Sequence, residues 1–266
     1  MSDINLSAIN VYPIKSTAGI ALDRSYVETS GLSFDRRFIL SDPAGDFISA
    51  RKYPQMLHFR TALLPDGLYV IAPDGDSIAI HIPEFFQNYR QVNVWGTEIN
   101  AQLCGMQFDE WFSNKLDVEC QLLYFGDQSE RGTPRYPEKP VSFADGYPLL
   151  LISEASLDDL SQRADKQFDM RQFRPNIVVN GCSPFSEDDW SAIQIGEVIF
   201  DVVKPCTRCV MTTYHPDTLE RMPKSEPLKT LASYRRNDKG EVEFGQNIIP
   251  RNEGIIQMGD QIELIE

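Results

Sequence analysis

The residues best suited to chemistry lie between Lys204 and Val210, where Cys206 and Cys209 have the C-x-x-C spacing. Such a pair can be half of a zinc site, a dithiol redox pair, or one functional thiolate beside a second cysteine. If the two cysteines have no chemical function, they are small apolar residues buried in a β-core. This segment alone leaves these hypotheses open.

Zinc and dithiol chemistry both need partners that the sequence supplies poorly. The remaining zinc ligands, Cys182 and His215, are not spaced as a second ligand pair. A redox dithiol needs a helix amino terminus at its first cysteine, whereas we predict strands at 198–203 and 210–213 on either side. This favours a thiolate at a strand-turn-strand corner beside Arg208.

Other segments place polar side chains where predicted strands begin or end. Such groups can bind an anion or the edge of a heterocycle when they converge. Each one alone is more simply explained as a surface ion pair or a turn residue. They are Lys15 with Ser16, Arg36, Asp145, and Arg174 with Asn176.

Composition bounds the partners and the location of the protein. The 266 residues include 25 Lys and Arg against 39 Asp and Glu, and a net charge of −14 disfavours nucleic acid and membrane surfaces. The segment 1–5 has no signal-peptide pattern, so we expect a cytoplasmic protein. The odd count of five cysteines argues against a disulfide framework.

Short apolar runs separated by turn signals predict a mostly β fold with peripheral helices, of the α+β class. The predicted organisation is a β-barrel-like domain at 1–125 packed against a second β-barrel domain at 126–266, with a loop at 126–142. The predicted strands lie at 38–40, 57–64, 68–72, 78–82, 149–152, 177–179, 198–203, 244–249 and 261–265. Helices are predicted at 108–116, after Ser153, and from Ser225.

Six motifs in this order resemble the MOSC family, named for the molybdenum cofactor sulfurase C-terminal domain. The likeness is closest to the branch that contains the mitochondrial amidoxime-reducing component and bacterial YcbX-type proteins, which have an N-terminal MOSC β-barrel domain. The motifs are YPIKS at 12–16, DR at 35–36, SEAS at 153–156, FRPN at 173–176, CTRC at 206–209 and PDT at 216–218.

The resemblance implies a bound molybdenum cofactor, Mo-molybdopterin, whose metal is held by Cys209, with Cys206 as a bystander. Asp145 matches an acidic residue near the metal and is our candidate proton donor. The other implied cofactor-binding residues are Lys15, Ser16, Arg36, Arg174, Asn176, Thr207 and Arg208. We expect one cavity between the two halves of the chain, because ligand pockets favour such seams. Its predicted lining residues are Lys15, Arg36, Arg174, Asn176, Arg208 and Cys209.

The implied activity is that of a molybdenum-dependent oxidoreductase that reduces small N-hydroxylated compounds to amine and water. The chain has no G-x-G-x-x-G fingerprint and no cysteines after Cys209 for an iron–sulfur cluster, so we expect electrons from a separate flavoprotein or iron–sulfur protein. One alternative is a non-catalytic molybdenum cofactor-binding or sulfur-carrier module that uses Cys209 as the carrier. The other alternative is a β domain stabilised by a structural zinc ion, the zinc-stapled domain.

Overall fold

The computed structural model describes residues 3–265. This part of the chain consists mainly of short β-strands, with three α-helices and several 3-10 turns. The strands of the first half, in chain order, are β1 (Asn5–Val11), β2 (Ile20–Leu22), β3 (Arg24–Glu28), β4 (Gly31–Leu32), β5 (Phe38–Ser41), β6 (Arg60–Leu64), β7 (Gly67–Ile71), β8 (Ser77–His81), β9 (Tyr89–Val94) and β10 (Thr97–Leu103).

The rest of the chain adds the helices and eight further strands. In chain order they are α1 (Met106–Leu116), β11 (Gln121–Tyr124), β12 (Leu149–Ser153), α2 (Glu154–Ala164), β13 (Ile177–Asn180), β14 (Ala192–Ile195), β15 (Val198–Thr207), α3 (Leu228–Leu231), β16 (Glu243–Pro250), β17 (Gly254–Gln257) and β18 (Ile262–Ile265). Within residues 3–265, no helix is long and apolar enough to cross a membrane.

The strands form four sheets. The largest has eight strands in the order β18-β14-β15-β16-β12-β13-β1-β2, and a second has the order β5-β11-β10-β9. The two smaller sheets are β17-β3-β4 and β6-β7-β8. This confirms the prediction of a mostly β fold with a few helices, and the hairpins predicted between 57 and 82 form the β6-β7-β8 sheet.

The chain divides into two compact units whose segments alternate along the sequence. One unit comprises the chain up to Asn10, Ala21–Ser33, and the chain from Tyr147 onward; the other comprises Val11–Ile20 and Phe34–Gly146. We call them the large-sheet unit and the hairpin unit. The predicted domain boundary between residues 125 and 126 stays a prediction.

The large-sheet unit is organised around β12, whose five residues are all buried. The strand pairs in parallel with β13 and antiparallel with β16, so both of its edges are occupied. An uninterrupted run of Leu and Ile suits such a position, since both faces of the strand are covered. Ser153 then starts α2 as predicted, because its side chain accepts a hydrogen bond from Ser156 N.

The hairpin unit has its own apolar core beneath the sheet β5-β11-β10-β9. Residues of all four strands meet there with Phe125 and Phe143, which flank the predicted loop. The loop itself has no strand or helix between 125 and 148, as the sequence predicted. Its course therefore starts and ends in this core, which fixes the backbone near Asp145.

Three local predictions were wrong. Residues 210–213 form a 3-10 turn instead of a strand, because the hydroxyls of Thr212 and Thr213 donate to carbonyls three residues back. Pro54–His58 is also a 3-10 turn, so the predicted strand 57–64 begins only at Arg60. The helix predicted from Ser225 is confined to Leu228–Leu231.

Candidate functional site

Cys209 lies where the long strand β15 gives way to a 3-10 turn. Thr207 ends β15 opposite Glu243, and Arg208 N donates to Val242 O at 2.7 Å. Cys209 then precedes the turn Val210–Thr213, and its carbonyl accepts Thr212 N at 3.1 Å and Thr212 Oγ1 at 3.0 Å. These bonds hold the backbone on both sides of a half-buried, unbridged thiol.

The guanidinium of Arg208 joins the CTRC and FRPN motifs within the large-sheet unit. Nη1 donates to Cys206 Sγ at 2.9 Å, and Nη2 donates to Phe173 O at 2.6 Å. Its Nε is buried and has no hydrogen-bond partner within residues 3–265. Arg208 therefore connects CTRC with FRPN, while its Nε–H is left unsatisfied, which is costly for a buried donor.

The FRPN motif gives its two polar residues different surroundings. Arg174 has a left-handed backbone, with φ of 57°, directly after the buried Phe173. Asn176 is 1% exposed, accepts Leu150 N at 3.2 Å and donates to Asn10 O at 3.0 Å. Asn176 thus ties together the ends of β1 and β12, and its predicted contact with a cofactor stays a prediction.

In the hairpin unit, Lys15 and Ser16 follow β1 in a tight turn. Thr17 N donates to Ile14 O at 3.2 Å, and Ser16 occupies the third position with φ of 74°. Lys15 N is held by Phe38 O at 2.8 Å. The turn thus sends the Lys15 side chain into the unit, where it is 7% exposed.

Arg36 is positioned by the buried Asp35 beside it. Asp35 accepts Arg36 Nη1 at 2.6 Å and Tyr12 N at 2.8 Å. The Arg36 guanidinium lies 4.2 Å from the centre of the Tyr12 ring, and its backbone φ is 47°. The YPIKS and DR motifs are therefore brought together, as a binding site shared by Lys15 and Arg36 requires.

Lys15 and Asp145 form an ion pair of very unequal exposure. Lys15 Nζ donates to Asp145 Oδ1 at 2.5 Å and to Phe143 O at 2.7 Å, while the Asp145 side chain is 75% exposed. Burial lowers the pKa of Lys15, and Asp145 opposes this only in part. Packing against neighbours raises the pKa of Asp145, but Lys15 and Trp95 outweigh it and hold that pKa well below its usual range.

Two residues that sequence analysis missed support this pair. Arg131 donates to the carbonyls of Ser142, Ala144 and Asp145, and so shapes the loop that carries the carboxylate. Trp95 Nε1 donates to Asp145 Oδ1 at 3.0 Å. Neither residue belongs to a motif, and each lies far from Lys15 in the sequence, so no local signal could have revealed them.

Left-handed backbone recurs at three predicted binding residues, Ser16, Arg36 and Arg174. Residues other than glycine adopt this conformation at a cost and concentrate at ligand clamps, where the surroundings enforce it. Each of the three belongs to a sequence motif: YPIKS, DR or FRPN. Other residues of the described chain share this conformation, among them the helix C-caps Asp117 and Asp165, so a binding role for these three stays a prediction.

The structure thus assembles two groups of predicted residues, each inside one unit. The hairpin unit holds Lys15, Ser16, Arg36 and Asp145, and the large-sheet unit holds Arg174, Asn176, Thr207, Arg208 and Cys209. The predicted cavity lined by Lys15, Arg36, Arg174, Asn176, Arg208 and Cys209 stays a prediction. Within residues 3–265, no three His, Cys, Asp or Glu side chains are grouped as metal ligands.

Comparison with known proteins agrees with the motifs. A protein-family model for the MOSC N-terminal beta barrel domain matches residues 3–119, and one for the MOSC domain matches residues 138–263. Mitochondrial amidoxime-reducing component 1 of Mus musculus is 32% identical over 96% of this chain and 80% of its own length. The Homo sapiens protein of the same name is 31% identical over 96% of this chain and 81% of its own length.

A longer relative also matches. Molybdenum cofactor sulfurase of Oryza sativa subsp. japonica is 33% identical over 92% of this chain, which spans only 32% of that protein. The two family matches together cover most of the sequence, and the relatives exceed 30% identity over nearly its whole length. The chain therefore belongs to the MOSC family, with both the MOSC N-terminal domain and the MOSC domain.

Proposed function

We propose that this chain binds the pterin-type molybdenum cofactor and reduces N-hydroxylated compounds, with electrons from a separate protein. The N–O bond is cleaved by two electrons and two protons, which yields the amine and water. The names of the amidoxime-reducing relatives support this reaction class. The observation that carries the proposal is the Nε of Arg208, the residue before Cys209, which is buried and has no hydrogen-bond partner within residues 3–265.

The residues suit such a cofactor chemically. A thiolate is a soft ligand that fits molybdenum bonded to sulfur, and Cys209 is the residue we assign to that role. Guanidinium and ammonium groups bind phosphate by charge-assisted hydrogen bonds. We assign the pterin and its phosphate to Lys15, Ser16, Arg36, Arg174, Asn176, Thr207 and Arg208.

When bound, the cofactor supplies the two electrons for cleavage of the N–O bond. The chain supplies orientation and protons. Because the pKa of Asp145 is lowered, its carboxyl group is ionised at neutral pH and favours the charged form of Lys15, although burial lowers the pKa of Lys15. We therefore propose that the predicted proton-donor role of Asp145 runs through Lys15, with Asp145 as the anion that keeps Nζ charged.

Electrons must reach the site from another protein in this proposal. We expect no turnover of an N-hydroxylated compound with NADH alone, and turnover with a chemical reductant or an added flavoprotein or iron–sulfur donor. The net charge of −14 favours a donor with a basic docking face, whose association slows as salt rises. Cytoplasmic location remains a prediction, and the relatives compared above include proteins that are mitochondrial by name.

The decisive test compares the two cysteines in protein produced where the molybdenum cofactor is made. Cys209→Ser is expected to remove bound molybdenum and to lower reduction of benzamidoxime by at least about 100-fold. Cys206→Ser is expected to keep most of both, because a hydroxyl can still accept the Arg208 hydrogen bond. Cys206→Ala removes that acceptor, so it should retain less bound molybdenum and less activity than Cys206→Ser.

Metal analysis and pterin fluorescence provide the readouts besides activity. Equal loss of molybdenum from Cys206→Ser and Cys209→Ser would overturn the assignment of Cys209 as the ligand. Stoichiometric zinc in place of molybdenum would support the zinc-stapled domain instead.

The second candidate function is a non-catalytic cofactor-binding or sulfur-carrier module. The 33% identity to molybdenum cofactor sulfurase favours it, although this chain spans only 32% of that protein. In that case Cys209 would carry sulfur as a persulfide. A persulfide assay on the purified protein distinguishes the two, since a permanent metal ligand carries no labile sulfur.

A further inference from the structure

The turn in which Trp95 lies does not explain why a tryptophan is found there. It forms, with Gly96, the two-residue turn between β9 and β10, and both residues have positive φ, 54° and 84°. This is the geometry of a type I′ turn, for which Asn-Gly is the favoured sequence. A bulky aromatic residue in the left-handed region costs about 1–2 kcal/mol.

Burial does not explain the residue either. Trp95 is 47% exposed, although its ring packs edge-on against Phe47 at 4.8 Å between centroids. The guanidinium of the exposed Arg51 lies 4.3 Å from the centre of the indole ring. The indole is thus paired with a guanidinium and an aromatic ring and is still half open to solvent, so part of its surface is available to a ligand.

The indole N–H connects this surface to the candidate site. Nε1 donates to Asp145 Oδ1, the same oxygen that accepts Lys15 Nζ. The strained turn therefore holds a large aromatic ring against the pair that we assign to proton supply. Strained residues of this kind concentrate where a ligand is bound.

We propose that Trp95 determines substrate specificity by stacking on the planar, conjugated group that carries the N-hydroxy function, with Arg51 supporting the ring. This inference rests on the proposed function, which assigns Lys15 and Asp145 to the site. It deepens that function by naming the substrate class: aryl or otherwise conjugated N-hydroxylated compounds are preferred over saturated ones. Stacked aromatic pairs prefer offset or edge-to-face geometry, which an exposed ring at a turn can offer.

The test uses two neutral substrates, benzamidoxime and acetamidoxime, on cofactor-loaded protein with a chemical reductant. Trp95→Leu is expected to lower the ratio of kcat/KM for benzamidoxime to that for acetamidoxime by about tenfold. Trp95→Phe keeps a ring but loses the N–H donor, so it should preserve most of that ratio while reducing both rates. Trp111→Phe is the matched control, since Trp111 also donates to an aspartate, Asp76, at 3.1 Å.

A second readout needs neither turnover nor cofactor chemistry. Without reductant, benzamidoxime is expected to change the indole fluorescence of the wild type and of Trp111→Phe, and to leave that of Trp95→Phe unchanged. Acetamidoxime should change none of them. A response that persists in Trp95→Phe would place the ligand elsewhere and overturn the inference.

Failure of the inference and failure of the proposed function are distinguishable. If loaded wild type reduces both amidoximes and Trp95→Leu leaves their ratio unchanged, the role of Trp95 is overturned while the reductase function stands. If loaded wild type reduces neither, the proposed function is overturned. The fluorescence titration then still decides whether Trp95 binds planar ligands.

Discussion

The hairpin unit contains two clusters in which a lysine and a tryptophan donate to one aspartate oxygen. In the site triad, Lys15 Nζ and Trp95 Nε1 lie 2.5 and 3.0 Å from Asp145 Oδ1. In the helix triad, Lys115 Nζ and Trp111 Nε1 lie 2.7 and 3.1 Å from Asp76 Oδ2. The hydrogen bonds are alike, but the two lysines differ in burial and in the charges that surround them.

Lys115 has two carboxylate partners, because Asp74 also accepts from it at 2.8 Å, and their hydrogen bonds raise its pKa. Lys15 has one carboxylate and lies near the positive charges of Arg36 and Arg131; burial, the largest cause, lowers its pKa. The helix triad ties α1 to the β7–β8 turn at the surface, where ion pairs contribute little. A buried lysine opposes stability, and such groups concentrate at functional sites.

The largest expected difference between the triads is in activity. Lys15→Met removes the proton-bearing group of the proposed site and is expected to lower kcat/KM for benzamidoxime by at least about 100-fold. Lys115→Met should stay within about twofold, since it removes only a surface contact. Molybdenum content is measured in parallel. Equal effects of the two changes would erase the distinction between the triads.

The aspartates are expected to differ in the pH profile. Asp145→Asn keeps the shape of the side chain but removes the carboxylate paired with Lys15, so the pKa of Lys15 should fall further. Because activity is proposed to need charged Lys15, the alkaline limb of kcat/KM should move to lower pH. Asp76→Asn leaves Asp74 beside Lys115, and its profile should coincide with that of wild type. An unmoved alkaline limb in Asp145→Asn would contradict the proton role of Lys15.

Stability at alkaline pH should change in opposite directions for the two lysines. The folded pKa of Lys15 is lowered, so above it the unfolded state binds more protons and stability rises toward pH ~10.4, relative to Lys15→Met. The folded pKa of Lys115 is raised, so its contribution is present below pH ~10.4 and is lost above it, relative to Lys115→Met. Urea unfolding between pH ~8 and ~11 measures both differences.

Acid pH provides the control for this measurement. The pKa values of Asp145, Asp74 and Asp76 are all lowered, so their stabilising contributions are present above the ordinary pKa of 3.8 and lost as pH falls through the folded values. The two triads should therefore behave alike at acid pH. Differences of the same sign at alkaline pH would show that the surroundings of Lys15 and Lys115 do not differ as described.

The sequence predicted the triads unequally. The motif residue Lys15 was predicted to bind a cofactor, and Asp145 was placed near the metal, but 130 positions separate them and no pattern linked them. Trp95 follows a strand end and belongs to no motif, so its contact with Asp145 depended entirely on the tertiary fold.

The fold was predictable where one local rule dominated. The apolar run of β12 and the serine cap of α2 were both predicted and confirmed. The segment after Cys209 was mispredicted because Val210 and two threonines favour a strand, whereas the threonine hydroxyls bond backward and close a 3-10 turn. Competition between side-chain and backbone hydrogen bonds cannot be decided from residue type alone.

The smallest expected effect separates the two tryptophans by stability. Trp95→Asn loses the contacts of a half-exposed ring but places a favoured residue in the left-handed turn, which offsets about 1 kcal/mol. Trp111 lies on α1 and packs against Phe59 and against its neighbour Phe112. Trp111→Asn should therefore lower the free energy of unfolding by at least about 2 kcal/mol. Urea unfolding at neutral pH should therefore find Trp95→Asn less destabilising by at least about 1 kcal/mol. If Trp95→Asn costs as much as Trp111→Asn, Trp95 holds the hairpin together, and its place in the turn would be explained by stability instead of by substrate.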